Sequence, residues 1–287
     1  MKKIFLLFCL LYINAIAIAQ KIAEPAAMSA DWAKPYPPFK IVGNLYYVGT
    51  ADLACYLIAT PKGNILINTG LAASAAVIKN SIEKLGFKFA DTKILLTTQA
   101  HFDHMGAIAD IKKITGAKFM VDKGDAAIAA DGGSSDYYFG GKYPLFKPVT
   151  PDRVLNDNDV IQLGGTKLTL LHHPGHTKGS CSFMLNVKDG NRDYKVLIAN
   201  MPTIIIDNDF EDIKAYPNMA QDYANTLKAM KGLKFDIWVA SHAGQFNLAK
   251  KHKSGDKYNP AAFVDRKGYD NQLNDLQKAF DKKVAGK

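Results

Sequence analysis

Six consecutive residues hold an amide, two imidazoles and a carboxylate: Gln99, His101, Asp103 and His104, within Thr97-Thr98-Gln99-Ala100-His101-Phe102-Asp103-His104-Met105-Gly106. Imidazole nitrogens and carboxylate oxygens at this density suit a divalent ion such as zinc, while the plainer alternative is a polar loop with a capping aspartate. Two later segments supply more of the same chemistry. In Leu170-Leu171-His172-His173-Pro174-Gly175-His176-Thr177-Lys178-Gly179-Ser180, the Pro-Gly pair turns the chain and presents His176. In Trp238-Val239-Ala240-Ser241-His242, the histidine follows a short apolar run. His172 and His173 still belong to a strand and read as core or supporting groups. His252, in Lys250-Lys251-His252-Lys253, reads as solvated. Neither Ser180 nor Ser241 stands in a Ser-x-x-Lys or Gly-x-Ser-x-Gly pattern, so nothing here marks a serine nucleophile.

Such groups need a rigid frame to converge, and the hydrophobic pattern supplies one. Ile94-Leu95-Leu96 is a short buried strand, so the metal-type cluster sits on a loop at its carboxyl end, where α/β proteins place chemistry. Ala107, Ile108, Ile111 and Ile114 then carry helical spacing. Before this come strand signals at Phe39–Val42, Leu45–Val48, Cys55–Ala59 and Ile65–Asn68, separated by Gly-Asn and Pro-Lys-Gly-Asn turns. A helix through Ala75, Ile78, Ile82 and Leu85 stops at Gly86. After it come a strand at Lys118–Val121 and a short helix at Gly124–Ala130. Asp131–Gly141, rich in Gly and Ser with Tyr137, Tyr138 and Phe139, is expected to be exposed and mobile: either a connector or a flap laying aromatic surface over a substrate. Strands resume at Val160–Leu163, Lys167–Leu171, Cys181–Val187 and Tyr194–Ala199. Helices follow through Ala220–Met230 and Tyr269–Phe280, with a last strand at Ile237–Ala240. Two halves of this order, each a sheet with helices to one side, could bury their sheets face to face.

The remaining signals bound the class. Lys2 and Lys3, the apolar stretch Ile4–Ile18 and the small residues Ala17-Ile18-Ala19 form a cleavable leader. Residues 1–19 are therefore expected to be removed, leaving a single domain over 20–287 in the periplasm. Losing two lysines lowers the formal charge from +9 to +7. The remaining lysines are dispersed over helix faces, with no basic-aromatic stripe for nucleic acid and no later stretch able to span a membrane. Cys55 and Cys181 both lie in apolar runs; two buried thiols and one bridge remain equally open.

The set Gln99-Ala100-His101-Phe102-Asp103-His104, Pro174-Gly175-His176-Thr177 and Ser241-His242 resembles the HxHxDH, PGHT and late SH signature of the metallo-β-lactamase superfamily. It is most similar to class B, subclass 3 enzymes of the GOB type, in which glutamine likewise replaces the first histidine. The resemblance covers nearly all of the chain after the leader. It implies an αββα sandwich (α/β, four layers) and two adjacent zinc positions. The first maps to Gln99, His101 and His176; the second maps to Asp103, His104 and His242. An amide oxygen is a weaker zinc donor than imidazole, so the second position is expected to fill first. Whether Gln99 ligates directly or only hydrogen-bonds stays open.

By the same resemblance, Asp103 is the catalytic carboxylate, Met201 packs in the pocket floor, Thr203 contacts the substrate carboxylate, and Asn68 supports the metal loop from behind. Zinc lowers the pKa of a bound water toward about 7, making hydroxide available to attack a β-lactam amide. The implied protein is an exported monomer that hydrolyses penicillins, cephalosporins and carbapenems and confers resistance to them. Two alternatives stand beside it: another zinc hydrolase of the same fold, a lactonase or thioesterase, and a metal-binding protein without activity. Against the former, superfamily members of that kind generally carry a bridging aspartate after the PGHT strand. This chain has Asn200-Met201-Pro202 there.

Overall fold

In β4 (Gly63–Ile67) and β5 (Thr92–Leu96), alternate side chains enter different cores. Ile65, Ile67, Ile94 and Leu96 point into one buried cluster, and Leu66 and Leu95 into another. This is the period of two of a pleated strand, and it shows a sheet covered on both faces. The computed structural model describes residues 21–286, so the proposed leader lies outside the described residues.

That sheet has seven strands in sequential order: β1 (Phe39–Val42), β2 (Leu45–Tyr47), β3 (Tyr56–Thr60), β4, β5, β6 (Lys118–Asp122) and β7 (Arg153–Leu155). The first four pair antiparallel, and β4 through β7 pair parallel. Its outer face is covered by α1 (Ser74–Lys84) and α3 (Ile108–Thr115), whose Ile78, Ile82, Ile108 and Ile111 join Leu66, Leu95, Phe119 and Val121. Each fully buried Ile or Leu of this kind contributes about 1.5–3 kcal/mol. Gly116 ends α3 in the left-handed conformation, φ 68°, which glycine adopts without strain.

The second sheet has five strands, ordered β12 (Ile237–Ala240), β11 (Arg192–Ala199), β10 (Cys181–Asp189), β9 (Thr166–His172) and β8 (Val160–Leu163). Leu168, Leu170, Phe183, Leu185, Val196 and Ile198 share one buried cluster with Ile65, Ile67, Ile94 and Leu96 of the first sheet. The outer face of this sheet is closed by α5 (Met219–Lys231) and, after the single turn α6 (Leu248–Lys251), by α7 (Arg266–Ala285), with Tyr269 edge-on to Trp238 at 5.2 Å. The layers are therefore α, β, β, α, as the resemblance implied. No helix among the described residues is long and apolar enough to cross a membrane.

Several expectations need correction. β7 carries no strand signal because two of its three residues are exposed. The metal loop is partly helical: His101 is an extended N-cap, and α2 (Phe102–Met105) puts Asp103 and His104 in a first helical turn rather than on an open loop. The stretch after α4 (Ala126–Asp131) is not simply exposed, since Gly132, Gly133 and Asp136 are buried. His252 is not a solvated side chain. Its ring stacks on Phe39 at 3.6 Å and its Nδ1 lies 3.2 Å from the Tyr36 hydroxyl, because apolar strand β1 offers a face to its otherwise charged run. Cys55 and Cys181 are two separate buried thiols.

Candidate metal centre

The carboxyl ends of β5, β11 and β12, with the β9–β10 turn, meet at one edge of the sandwich. Cys181 N donates to Thr98 O at 2.8 Å and Ser241 N to Ala199 O at 3.1 Å, so the segments bearing His101, His176 and His242 are bonded to one another directly or through β11. Asn68 braces the metal loop from below. It takes a left-handed φ of 62°, and its Oδ1 accepts from Thr98 N at 2.9 Å and from the Thr98 hydroxyl at 3.1 Å. Asparagine tolerates that conformation better than most residues.

At the floor of this edge Asp103, His104 and His242 converge, with one donor atom from each within 4.8 Å of the others. Asp103 Oδ2 lies 3.3 Å from Nε2 of both His104 and His242. Burial opposes the charge on Asp103, but the two histidines outweigh it and hold the carboxyl well below its ordinary range. Burial likewise opposes a charged His242, yet Asp103 and Asp52 lift it to about 9. Burial pushes His104 down. Beside them lie His101 and His176, ring centroids 4.9 Å apart, with Gln99 buried next to them. Burial, with His101 adding to it, lowers His176 to about 3, so its nitrogen is a free base at neutral pH.

The donor set fits a resident cation. Gln99 Oε1, His104 Nδ1 and His104 Nε2 are buried polar atoms without a hydrogen-bond partner. His104 Nε2 is near the Asp103 oxygen, but its ring is not angled to donate to it. An orphaned buried imidazole costs about 1–3 kcal/mol, which an ion shared with Asp103 and His242 would recover. Three histidines also have one ring nitrogen engaged elsewhere, leaving one for metal. His242 Nδ1 faces Asp52 Oδ2 at 3.0 Å, His176 Nδ1 faces Thr203 O at 2.7 Å, and His101 Nε2 faces Asp136 Oδ2 at 3.2 Å. By contrast, His172 Nδ1 meets Asp122 Oδ2 at 2.9 Å and His173 Nδ1 meets Ser182 Oγ at 2.8 Å; neither belongs to the cluster.

The cluster opens into a cavity of about 720 Å³ walled by Trp32, Phe102, Phe139, Met201 and Ile205. Met201 is buried in that wall, and Thr203 lines it with its hydroxyl 3.1 Å from His176 Nδ1. The carboxylates lining the cavity are Asp52 and Asp103.

Three acidic residues that hold the site stand in no recognisable motif in the sequence. Asp52 accepts from Trp32 Nε1 at 3.1 Å and Gly244 N at 3.0 Å while facing His242. Asp125, fully buried, accepts from Ala100 N at 2.7 Å, Thr177 Oγ1 at 2.8 Å and Gly179 N at 2.8 Å, tying the two histidine loops together. Burial pushes its carboxyl up to about 6. The backbones there are so close that a Cβ on Gly124 would lie 2.1 Å from Lys178 O. Asp136 sits in the glycine-rich stretch, where its place beside three aromatics was the one available signal.

A fold of this type with this donor set defines a class, and comparison with known proteins agrees. The metallo-β-lactamase superfamily model matches residues 52–189. The class B3 di-zinc metallo-β-lactamase LRA-12 from an Alaskan soil metagenome is 65% identical, with TM-score 0.90 over 91% of this chain and 99% of that one. GOB-18 from Elizabethkingia meningoseptica is 57% identical, with TM-score 0.92 over 94% and 100%. More distantly, the acyl-coenzyme A thioesterase MBLAC2 of Gallus gallus is 23% identical over 54% of this chain and 57% of its own length. The chain spans little more than half the length of such curated relatives. This chain belongs to the metallo-β-lactamase superfamily and, within it, to the class B3 enzymes, where it is GOB-like.

Proposed function

We propose that this protein is a zinc-dependent hydrolase that opens the β-lactam ring of penicillins, cephalosporins and carbapenems. The observation that carries the reading is the convergence of Asp103, His104 and His242 at the floor of an apolar-walled cavity. Asp103, His104 and His242 would hold one zinc, and Gln99, His101 and His176 a second. Bound there, zinc supplies Lewis acidity and a water acidic enough to react near neutral pH.

The chain's own groups do the rest. Asp103, kept ionised by its two histidine neighbours, offers Oδ atoms that orient a water and take its hydrogen bond. In the overall reaction a water oxygen joins the lactam carbonyl carbon, the carbon–nitrogen bond breaks, and the ring nitrogen gains a proton. Thr203 offers a hydroxyl to the substrate carboxylate. Trp32, Phe139 and Met201 pack its apolar substituents and displace water, which strengthens every polar contact inside. Residues 1–19 act as an export leader, and 20–287 fold as one monomeric domain in the periplasm, where these drugs meet their targets. Expression would then raise resistance.

The test is turnover of imipenem, a cephalosporin and a penicillin by purified protein, with and without a chelator, alongside zinc content. Absence of chelator-sensitive turnover removes the reading. The distant likeness to a thioesterase favours a second reading, a lactonase or thioesterase. Against it, β11 runs into Asn200-Met201, with no carboxylate where that chemistry generally has one. Comparing a homoserine lactone and S-lactoylglutathione with nitrocefin separates the two.

A further inference from the structure

We propose that Asp136 is a positioning residue that sets the tautomer of His101 and thereby links the glycine-rich stretch after α4 to the first metal position. The metal half of this rests on assigning Gln99, His101 and His176 to that position; the tautomer half does not. The Asp136 side chain is wholly buried, and its two oxygens have separate duties. Oδ1 accepts from Tyr138 N at 2.9 Å and Phe139 N at 2.7 Å, which folds the stretch. Oδ2 lies 3.2 Å from His101 Nε2. A carboxylate only accepts, so the neutral ring must carry its proton on Nε2, and the lone pair is left on Nδ1. With Nε2 engaged in this way, His101 can ligate only through Nδ1.

The stretch grips the first position at two further points. Phe139 packs edge-on against the His101 ring at 5.1 Å, and the Tyr137 hydroxyl donates to His176 O at 2.8 Å. Two of the three groups assigned to that position are therefore held by residues 136–139, and the third, Gln99, is the weakest donor. Linkage is reciprocal: a stretch that favours the ion must be favoured by it, by the same factor.

Asp136→Asn separates this role from a merely structural one. Two backbone N–H groups demand an oxygen at Oδ1, so the new amide must turn its NH2 toward His101. That NH2 donates, and the ring is driven to carry its proton on Nδ1, the nitrogen metal needs. The fold of the stretch is kept, but the tautomer is reversed.

The experiment is long-range ¹H–¹⁵N spectroscopy of ¹⁵N-histidine-labelled, metal-free protein at alkaline pH, with His101→Ala to assign the ring. The wild type is expected to show the Nε2–H form, and Asp136→Asn the Nδ1–H form. Cobalt(II) titration follows. The first equivalent is expected to bind both proteins alike, and the second to bind the variant about 10–100-fold more weakly. Asp136→Ala, which also loses the backbone bonds, is expected to raise hydrogen exchange over residues 133–141, whereas Asp136→Asn is not. An unchanged His101 tautomer in Asp136→Asn, or second-equivalent binding equal to wild type, overturns the proposal. A tautomer reversal in a protein that takes only one equivalent supports the tautomer role of Asp136 and counts instead against a metal at Gln99, His101 and His176.

Discussion

Asp52 Oδ2 and His242 Nδ1 stand 3.0 Å apart although 190 residues separate them in sequence. The contact turns Nε2 of His242 toward Asp103, and Asp52 is itself held by the Trp32 indole and Gly244 N. The carboxylate thus sets which nitrogen faces the metal position, as carboxylate partners of metal-bound histidines generally do. Asp52→Ala should weaken binding of the first zinc equivalent by about 10–100-fold. Trp32→Phe, which removes one donor to Asp52 but keeps an aromatic wall, should weaken it less. Competition against a chromophoric chelator measures both, and equal affinity in Asp52→Ala and wild type would remove the role.

The Asp125 carboxylate makes a different prediction, one of stability. It is the common acceptor for Ala100 N, Thr177 Oγ1 and Gly179 N, all in a fully buried place. Asp125→Ala strands these donors, each at about 1–3 kcal/mol. A loss of about 3 kcal/mol or more in urea unfolding is expected, with lowered zinc occupancy because both histidine loops loosen. Asp125→Asn keeps two acceptor lone pairs and should lose less. A neutral result for Asp125→Ala would mean that the loops are held by their backbone packing alone.

A pH signature comes from His172 and Asp122, whose Nδ1 and Oδ2 are 2.9 Å apart and outside the metal cluster. The hydrogen bond that His172 donates to the Asp122 carboxylate raises the His172 pKa above its ordinary 6.5, against a smaller opposing effect of burial. A raised histidine pKa adds stability below the unfolded value, and that stability is lost as pH rises through the folded value. The stability difference between wild type and His172→Gln should therefore be largest below pH ~6.5 and shrink above it. The ring is about a third exposed, so screening keeps the effect within about 1 kcal/mol. Denaturant unfolding across that range, in metal-free protein, checks the sign.

The frame and the histidine-bearing strand ends that converge on one edge are legible in the chain because both depend on local pattern. β4 and β5 alternate their cores residue by residue, and the histidines sit at strand ends marked by Pro174-Gly175 or by a halt in the apolar run. The residues that orient those histidines were not legible. Asp52, Asp125 and Asp136 reach their partners across 190, 52 and 35 residues, and no spacing rule relates such pairs. β7 leaves no trace in the pattern, because an edge strand with two exposed residues carries no alternation. The charged neighbourhood of His252 in sequence says nothing of the Phe39 ring that covers it.

The two metal positions should respond differently to substitution, and that difference tests their ranking. Asp103 Oδ2 lies beside Nε2 of both His104 and His242, so Asp103→Ala removes one proposed ligand and the charge that both rings face. His242→Ala removes a proposed ligand whose Nε2 is already turned toward Asp103 by Asp52. Each should lower zinc content and cut turnover by a factor of at least about 10². Gln99→His acts in the opposite direction: it replaces an unpartnered amide oxygen by a stronger nitrogen donor beside His101 and His176. The second equivalent of zinc should bind more tightly in that variant while the first is unchanged. Metal analysis after dialysis, with turnover measured on the same samples, compares all three. If Asp103→Ala kept wild-type turnover while His101→Ala lost it, the order in which the positions matter would be reversed.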